Sequence, residues 1–175
     1  MRRINNQIGH NVLVEAEALI PRVGRLPGID GKAKMSKSQG NAILLSAEPE
    51  AIREAVHRMY TDPNHIRAND PGTVEGNVVF TYLDAFGENE AEVAELKARY
   101  RRGGIDDIAV KRRLEVILQV LLAPIRERRA VYARQPEYVL DVLREGTKKA
   151  RAITQSTSQI YARVWGCSGS TEELV

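Results

Sequence analysis

A chain of 175 residues with 43% hydrophobic content can bury one respectable core, or a small domain with appendages. It has no run of about 18 apolar residues, so no transmembrane helix is indicated, and its single cysteine, Cys167, excludes an intrachain disulfide or a cysteine-based zinc site. Net charge is +3, from 26 Lys+Arg against 23 Asp+Glu, a balance that permits nucleic-acid binding without requiring it. The start, Met1-Arg2-Arg3-Ile4-Asn5, is charged and lacks the apolar stretch of a signal peptide, and a reducing, cytoplasmic setting is the default expectation.

In chain order, residues 1 to about 9 read as a helix with no capping residue before it, as though the chain opened partway through an element. Val12-Leu13-Val14 and Ala18-Leu19-Ile20 are short apolar runs, compatible with strands or buried loop. Pro27-Gly28 and Asp30-Gly31 are turn signals, which makes residues 21–41 an irregular, glycine-rich stretch of the length that compact domains keep for function. Helical periodicity begins after Ala42-Ile43-Leu44-Leu45. Ser46 is the expected N-cap, and Ile52, Ala55, Val56, Met59 and Tyr60 form an apolar stripe.

A second stripe follows at Val79, Tyr82, Leu83 and Phe86, closed by Gly87, and a shorter one at Val93, Leu96 and Tyr100 before Gly103-Gly104. The longest helix is predicted over about 106–134, with Leu114, Ile117, Leu118, Leu121, Leu122 and Ile125 as its core face and Pro124 as a kink. Pro136 suits the first turn of a last helix, with Val139, Val142, Leu143, Gly146, Ala150 and Ile153 facing inward. Residues 166–175 read as a flexible tail, and Trp165 as a packing residue.

The chemistry concentrates in Gly31-Lys32-Ala33-Lys34-Met35-Ser36-Lys37-Ser38-Gln39-Gly40-Asn41. Glycines at both ends let backbone N–H groups approach an anion. Lys34 and Lys37 are compact charges on flexible stems, able to follow a triphosphate as it becomes pyrophosphate, and Ser36 and Ser38 can donate to phosphate oxygens. A lysine-serine loop is ordinarily just solvated, but this pentapeptide arises by chance in a chain of this length at roughly one in ten thousand. His10, His57 and His65 lack metal-site spacing, and Asp62, Asp70, Asp84, Asp106 and Asp107 read as caps and turns. Basic residues cluster at Arg99, Arg101 and Arg102, at Lys111–Arg113, at Arg126, Arg128 and Arg129, and at Lys148, Lys149 and Arg151; the ordinary reading of any one of them is a solvated helix face.

Lys34-Met35-Ser36-Lys37-Ser38 resembles the second signature of class I aminoacyl-tRNA synthetases. Arg3-Ile4-Asn5-Asn6, Leu26-Pro27-Gly28-Ile29-Asp30-Gly31, Tyr60-Thr61-Asp62-Pro63, Tyr82-Leu83-Asp84-Ala85-Phe86 and Tyr100-Arg101-Arg102-Gly103-Gly104 are similar to the bacterial tryptophanyl branch of that family, in order and spacing. The resemblance runs from residue 2 to about 155. It implies a mainly α chain in which residues 1–46 are the end of a Rossmann catalytic domain and residues 47–165 a helical anticodon-binding bundle. It further implies a ligase that activates tryptophan with ATP and Mg²⁺ and then charges tRNA(Trp).

On that resemblance Lys34 and Lys37 are the expected catalytic residues, and Lys34, Met35, Ser36, Lys37 and Ser38, with Arg25 just upstream, the ATP-binding ones. The family's first signature, its amino-acid pocket and its Gly-x-Asp-Gln-type segment are missing, since only 33 residues precede Lys34. The expectation is therefore the C-terminal half of such a ligase, inactive alone, served by a separate N-terminal half. The alternatives are a non-catalytic relative that binds tRNA or a protein partner, and a helical interaction module with a relic loop.

Overall fold

The computed structural model describes residues 2–11, 14–20, 23–32 and 34–164. Among the described residues six α-helices follow one another: α1 (Arg2–Ile8), α2 (Pro49–His57), α3 (Val78–Phe86), α4 (Glu90–Arg102), α5 (Asp107–Ala133) and α6 (Pro136–Val164). Among the described residues there is no named strand, only an isolated antiparallel bridge between Pro27 and Lys34. The chain is mainly helical, as its periodicity predicts. The segment 14–20 is exposed and forms no strand, so the apolar run there is neither strand nor buried loop; Val12 and Leu13 lie outside the described residues. The chain divides into two compact units, Ile20–Val131 and Met1–Leu19 with Tyr132–Val175.

In the unit Ile20–Val131, α3, α4 and α5 start where the sequence supplies a side-chain partner for an orphan N–H group. The Asn77 side chain accepts from the Val79 N–H at 3.0 Å and opens α3; Asn89 accepts from Glu92 N–H at 3.1 Å and opens α4. Asp106 accepts from Ala109 N–H at 2.6 Å and opens α5. The start of α2 departs from expectation. Ser46 stays in an exposed turn, Glu48 is the N-cap residue without a side-chain bond, and Pro49 takes the first helical position, where its fixed φ fits and its missing N–H costs nothing.

The core forms where these helices turn one face inward. Ile52, Ala55 and Val56 of α2 are buried, as are Val79, Phe80, Tyr82 and Leu83 of α3 and Val93 and Tyr100 of α4. Val110, Leu114, Leu118 and Leu122 complete it at four-residue spacing along α5. Ile117 and Ile125 pack against its edge, whereas Leu121 is 42% exposed. Tyr100 is central. Its ring stands edge-on to Phe80 with centroids 5.0 Å apart, its hydroxyl donates to Asp107 Oδ1 at 2.7 Å, and the buried His65 ring lies 4.4 Å away.

In the other unit, α6 contradicts the inward face assigned to it. Val142, Leu143 and Ile153 are 53%, 60% and 70% exposed, and Val139, Gly146 and Ala150 are exposed too. An amphipathic stripe states that a helix can bury a face; burial also needs an opposing surface, and no described residue supplies one here. Tyr132 and Tyr138 stack with centroids 6.0 Å apart where α5 passes into α6.

Candidate functional site: a lysine loop fastened to the helical core

Residues 23–46 have almost no regular structure, yet they are tied to the helices at defined points. Ile29 is buried and its carbonyl accepts from the Tyr60 N–H at 2.8 Å, just past α2. The Tyr82 hydroxyl, on α3, donates to the Pro27 carbonyl at 2.8 Å, and burial pushes that phenol up to about 12, so it remains a donor throughout the physiological range. Leu26, Met35 and Ile43 are half-buried against the core. Pro27 and Lys34 bridge at the base of this segment, and the Gly31 N–H donates to the Gly28 carbonyl at 3.0 Å to close a turn over Ile29-Asp30.

Lys34 and Lys37 are both exposed, on either side of Met35, whose side chain packs inward. Residues Lys37–Gln39 form a single 3₁₀ turn that ends on Gly40 at φ 64°, a left-handed conformation that disfavours a side chain. The Ser36 and Ser38 hydroxyls meet at 2.9 Å, closing the loop on itself and leaving lone pairs and one proton outward. Lys34 lines an open recess of about 280 Å³ with Arg25, Lys32, Pro27 and Gly31. Lys37 faces a different groove, of about 530 Å³, walled by Met35, Ile43, Leu44, Leu45 and Ile125 and bordered by Arg129. Arg25 thus shares a recess with Lys34, whereas Lys37 is directed elsewhere.

Behind this surface lies a residue to which the sequence reading gave no role. Asn41 is 3% exposed, and its Oδ1 accepts the Ser36 N–H at 2.8 Å. Its Nδ2 faces Asp30 Oδ1 and Oδ2 at 3.3 Å each, Gln39 Oε1 at 3.3 Å and the Lys34 carbonyl at 3.4 Å. The Asn41 carbonyl also accepts the Ile29 N–H at 2.9 Å. A Cβ at Gly28 would lie 2.3 Å from Asn41 Nδ2, so Gly28 is required for the amide to enter. The available signal was Asn after a positive-φ glycine, and Asn there reads equally well as a surface turn residue.

Some members of the basic clusters are neutralised by carboxylates. Arg101 pairs with Glu75 at 2.6 Å, Arg102 with Glu95 at 3.0 Å, and Arg113 Nη2 with Glu92 at 2.7 Å, which holds the Glu92 carboxyl below its usual range. Lys111 donates to the His57 carbonyl and Arg126 to the Ala47 carbonyl. Arg112, Arg128 and Arg129 have no ion pair among the described residues. Asp62, Asp70 and Asp106 act on backbone N–H groups, as turn and cap residues do; Asp84 instead pairs with Lys97 at 2.6 Å, and Asp107 with Tyr100. The described residues contain no His, Cys, Asp and Glu grouping that could hold a metal and no helix long and apolar enough to cross a membrane.

Comparison with known proteins shows the family. The family model for class I tRNA synthetases of the W and Y type matches residues 1–123, which includes the whole loop. The chain is 52% identical to a tryptophan–tRNA ligase of Clostridium longisporum over 159 residues, spanning 90% of this chain and 47% of that protein. It is 47% identical to one of Lactococcus lactis over 90% of this chain and 48% of the relative. It therefore spans about half the length of the curated relatives it matches. The crystal structure of tryptophanyl-tRNA synthetase from Campylobacter jejuni superposes with a TM-score of 0.66 at 28% identity, over 94% of this chain and 51% of that one. The same enzyme complexed with ADP and tryptophan gives 0.65 at 26%. The chain belongs to the class I tRNA synthetase family of the tryptophanyl and tyrosyl enzymes.

Proposed function

We propose that this chain supplies the loop-bearing, C-terminal half of a tryptophan–tRNA ligase. The observation that carries the reading is the exposed pair Lys34 and Lys37 on a backbone pinned to the core, within a stretch where the matched relatives are tryptophan–tRNA ligases. In the first reaction a carboxylate oxygen of tryptophan bonds to the α-phosphorus of ATP. The bridging oxygen between the α- and β-phosphorus keeps the electron pair and leaves with pyrophosphate. Negative charge grows on that leaving group, and Lys34 and Lys37 are suited to meet it. Ser36 and Ser38 can turn the proton left outside their mutual bond to phosphate oxygens, Arg25 adds a third cation beside Lys34, and Met35 anchors the loop. Mg²⁺ would enter with the nucleotide, bound to its phosphates.

In the same reading residues 47–165 form the region that meets the anticodon of tRNA(Trp), residues 1–46 close the catalytic domain, and the setting is cytoplasmic. The unpaired Arg112, Arg128 and Arg129 of α5 are the cations best placed to meet RNA phosphates, because the paired arginines give up part of their charge. The second reading, a non-catalytic relative that keeps only RNA binding, draws on those same arginines.

The test joins this chain to the N-terminal half of the Clostridium longisporum relative and follows tryptophan-dependent ATP–pyrophosphate exchange. The chain alone is expected to give none, and the joined protein to be active. Lys37→Ala should then lower the rate on the order of a hundred- to a thousandfold while moving the KM for tryptophan little. An active joined protein indifferent to Lys37→Ala would sink the catalytic role of the loop. Binding of labelled tRNA(Trp) that falls steeply with salt, without any exchange activity, would favour the second reading.

A further inference from the structure

We infer that Asn41 is the positioning residue of the lysine loop, holding the backbone from which Lys34 and Lys37 project; its consequence for catalysis rests on the function proposed above. Neither lysine side chain makes a hydrogen bond or ion pair among the described residues, and both are exposed. What is fixed is the chain between them, and it is fixed by one buried amide. Asn41 Oδ1 takes the Ser36 N–H at 2.8 Å, midway between the lysines, while Nδ2 faces the Lys34 carbonyl on one side and Gln39, at the end of the 3₁₀ turn, on the other. The Asp30 carboxylate, across the turn, supplies the negative partner for Nδ2, and Gly28 leaves the space. Asn41 thus joins the turn before the loop, the middle of the loop and its end in one polar cluster.

The same pattern says which chemistry the position needs. An acceptor must point at Ser36 and a donor at Asp30, from a side chain short enough to stay beside Gly28. Asparagine meets all three. Aspartate matches its size and keeps the acceptor but sets a second carboxylate against Asp30. Alanine leaves the Ser36 N–H and the Asp30 carboxylate without their partner.

The experiment measures amide hydrogen exchange at Ser36 in the whole ¹⁵N-labelled chain, alongside thermal unfolding. In the wild type the Ser36 amide is expected to exchange slowly for a loop residue. Asn41→Asp should accelerate it about tenfold at neutral pH, the size of one lost net hydrogen bond, while amides of α3 and α5 keep their protection. Asp30→Asn in the Asn41→Asp background exchanges donor and acceptor across the contact and should return Ser36 to within about threefold of wild type. A merely structural asparagine would let protection fall everywhere together, and the Asp30→Asn change would restore nothing. In the joined enzyme Asn41→Asp should lower kcat about tenfold or more at unchanged KM for tryptophan, with recovery in the double variant. An unprotected Ser36 amide in the wild type, or equal Ser36 rates in wild type and Asn41→Asp, overturns the inference. So does an enzyme that needs Lys37 but ignores Asn41→Asp. If Ser36 responds as expected and activity ignores both Asn41→Asp and Lys37→Ala, the positioning stands and the catalytic reading of the loop fails.

Discussion

The lysine loop and the helical core of the unit Ile20–Val131 are held by opposite means. In the core, Leu114, Leu118 and Leu122 of α5 interlock with Phe80, Tyr82 and Leu83 of α3 and Val56 of α2 in one buried cluster, so stability is spread over many small contacts. Between Pro27 and Asn41 shape depends on a few hydrogen bonds, chiefly those of Ile29, Tyr60, Ser36 and Asn41, and on single close approaches such as Gly28. Distributed packing gives a rigid support. Sparse polar fastening gives a segment whose reactive side chains stay in water and whose backbone can be released by breaking one or two bonds. A loop with the role proposed above, meeting a changing polyphosphate, needs the second property on top of the first.

The contrast can be broken most severely from the core side. Leu114 is fully buried, and Leu114→Ala should cost about 2–5 kcal/mol in urea unfolding, because the surrounding helices cannot close the space. A loss under about 1 kcal/mol would mean that this core is loosely packed. Next comes the polar knot inside the core. Tyr100→Phe removes the hydroxyl that donates to Asp107 and should cost about 1.5–3 kcal/mol, the usual range for a hydrogen bond to a charged group. Nearly unchanged stability would show that water replaces the phenol at Asp107.

A smaller effect, readable through pH, concerns the Thr61–Gly76 connection. Asp62 accepts N–H groups from Asn64 at 2.9 Å and Thr73 at 2.7 Å, and those bonds lower its pKa from 3.8. A carboxyl depressed in the folded state adds stability that is complete above its unfolded pKa and is lost as pH falls through the folded one. The stability gap between wild type and Asp62→Asn should therefore be present at about pH 6 and shrink as pH falls below 3.8. A pH-independent gap would assign the effect of Asp62 to shape alone. The smallest change is expected from the loop: Lys37→Ala should leave unfolding within about 0.5 kcal/mol of wild type, since its side chain is exposed and unpaired. A larger loss would mean that Lys37 helps to hold the loop as well as to serve a ligand.

Read from the sequence, the helical stretches of α2 to α5 are legible, because 3.6-residue periodicity and glycine stops are local signals, and most of the stripe positions fill the core, Tyr60 and Leu121 excepted. Ser46 failed as a cap because Pro49, three residues on, fixes where α2 can begin. The lysine loop was also legible, since its unusual residue order survives without any knowledge of the fold. What the sequence by itself determined is therefore the unusual lysine-serine loop as a stretch of chain and the helical character of α3 to α5 in the unit Ile20–Val131. Tertiary structure decided which surfaces those local elements share. It set Lys34 beside Arg25 and Lys37 toward Arg129, buried Asn41 behind them, folded Asp107 onto Tyr100, and left Val142, Leu143 and Ile153 of α6 exposed despite their stripe. The reason is physical: capping and periodicity act within a few residues along the chain, whereas burial and hydrogen bonding between Asp30 and Asn41, or Tyr100 and Asp107, depend on which segments meet in space.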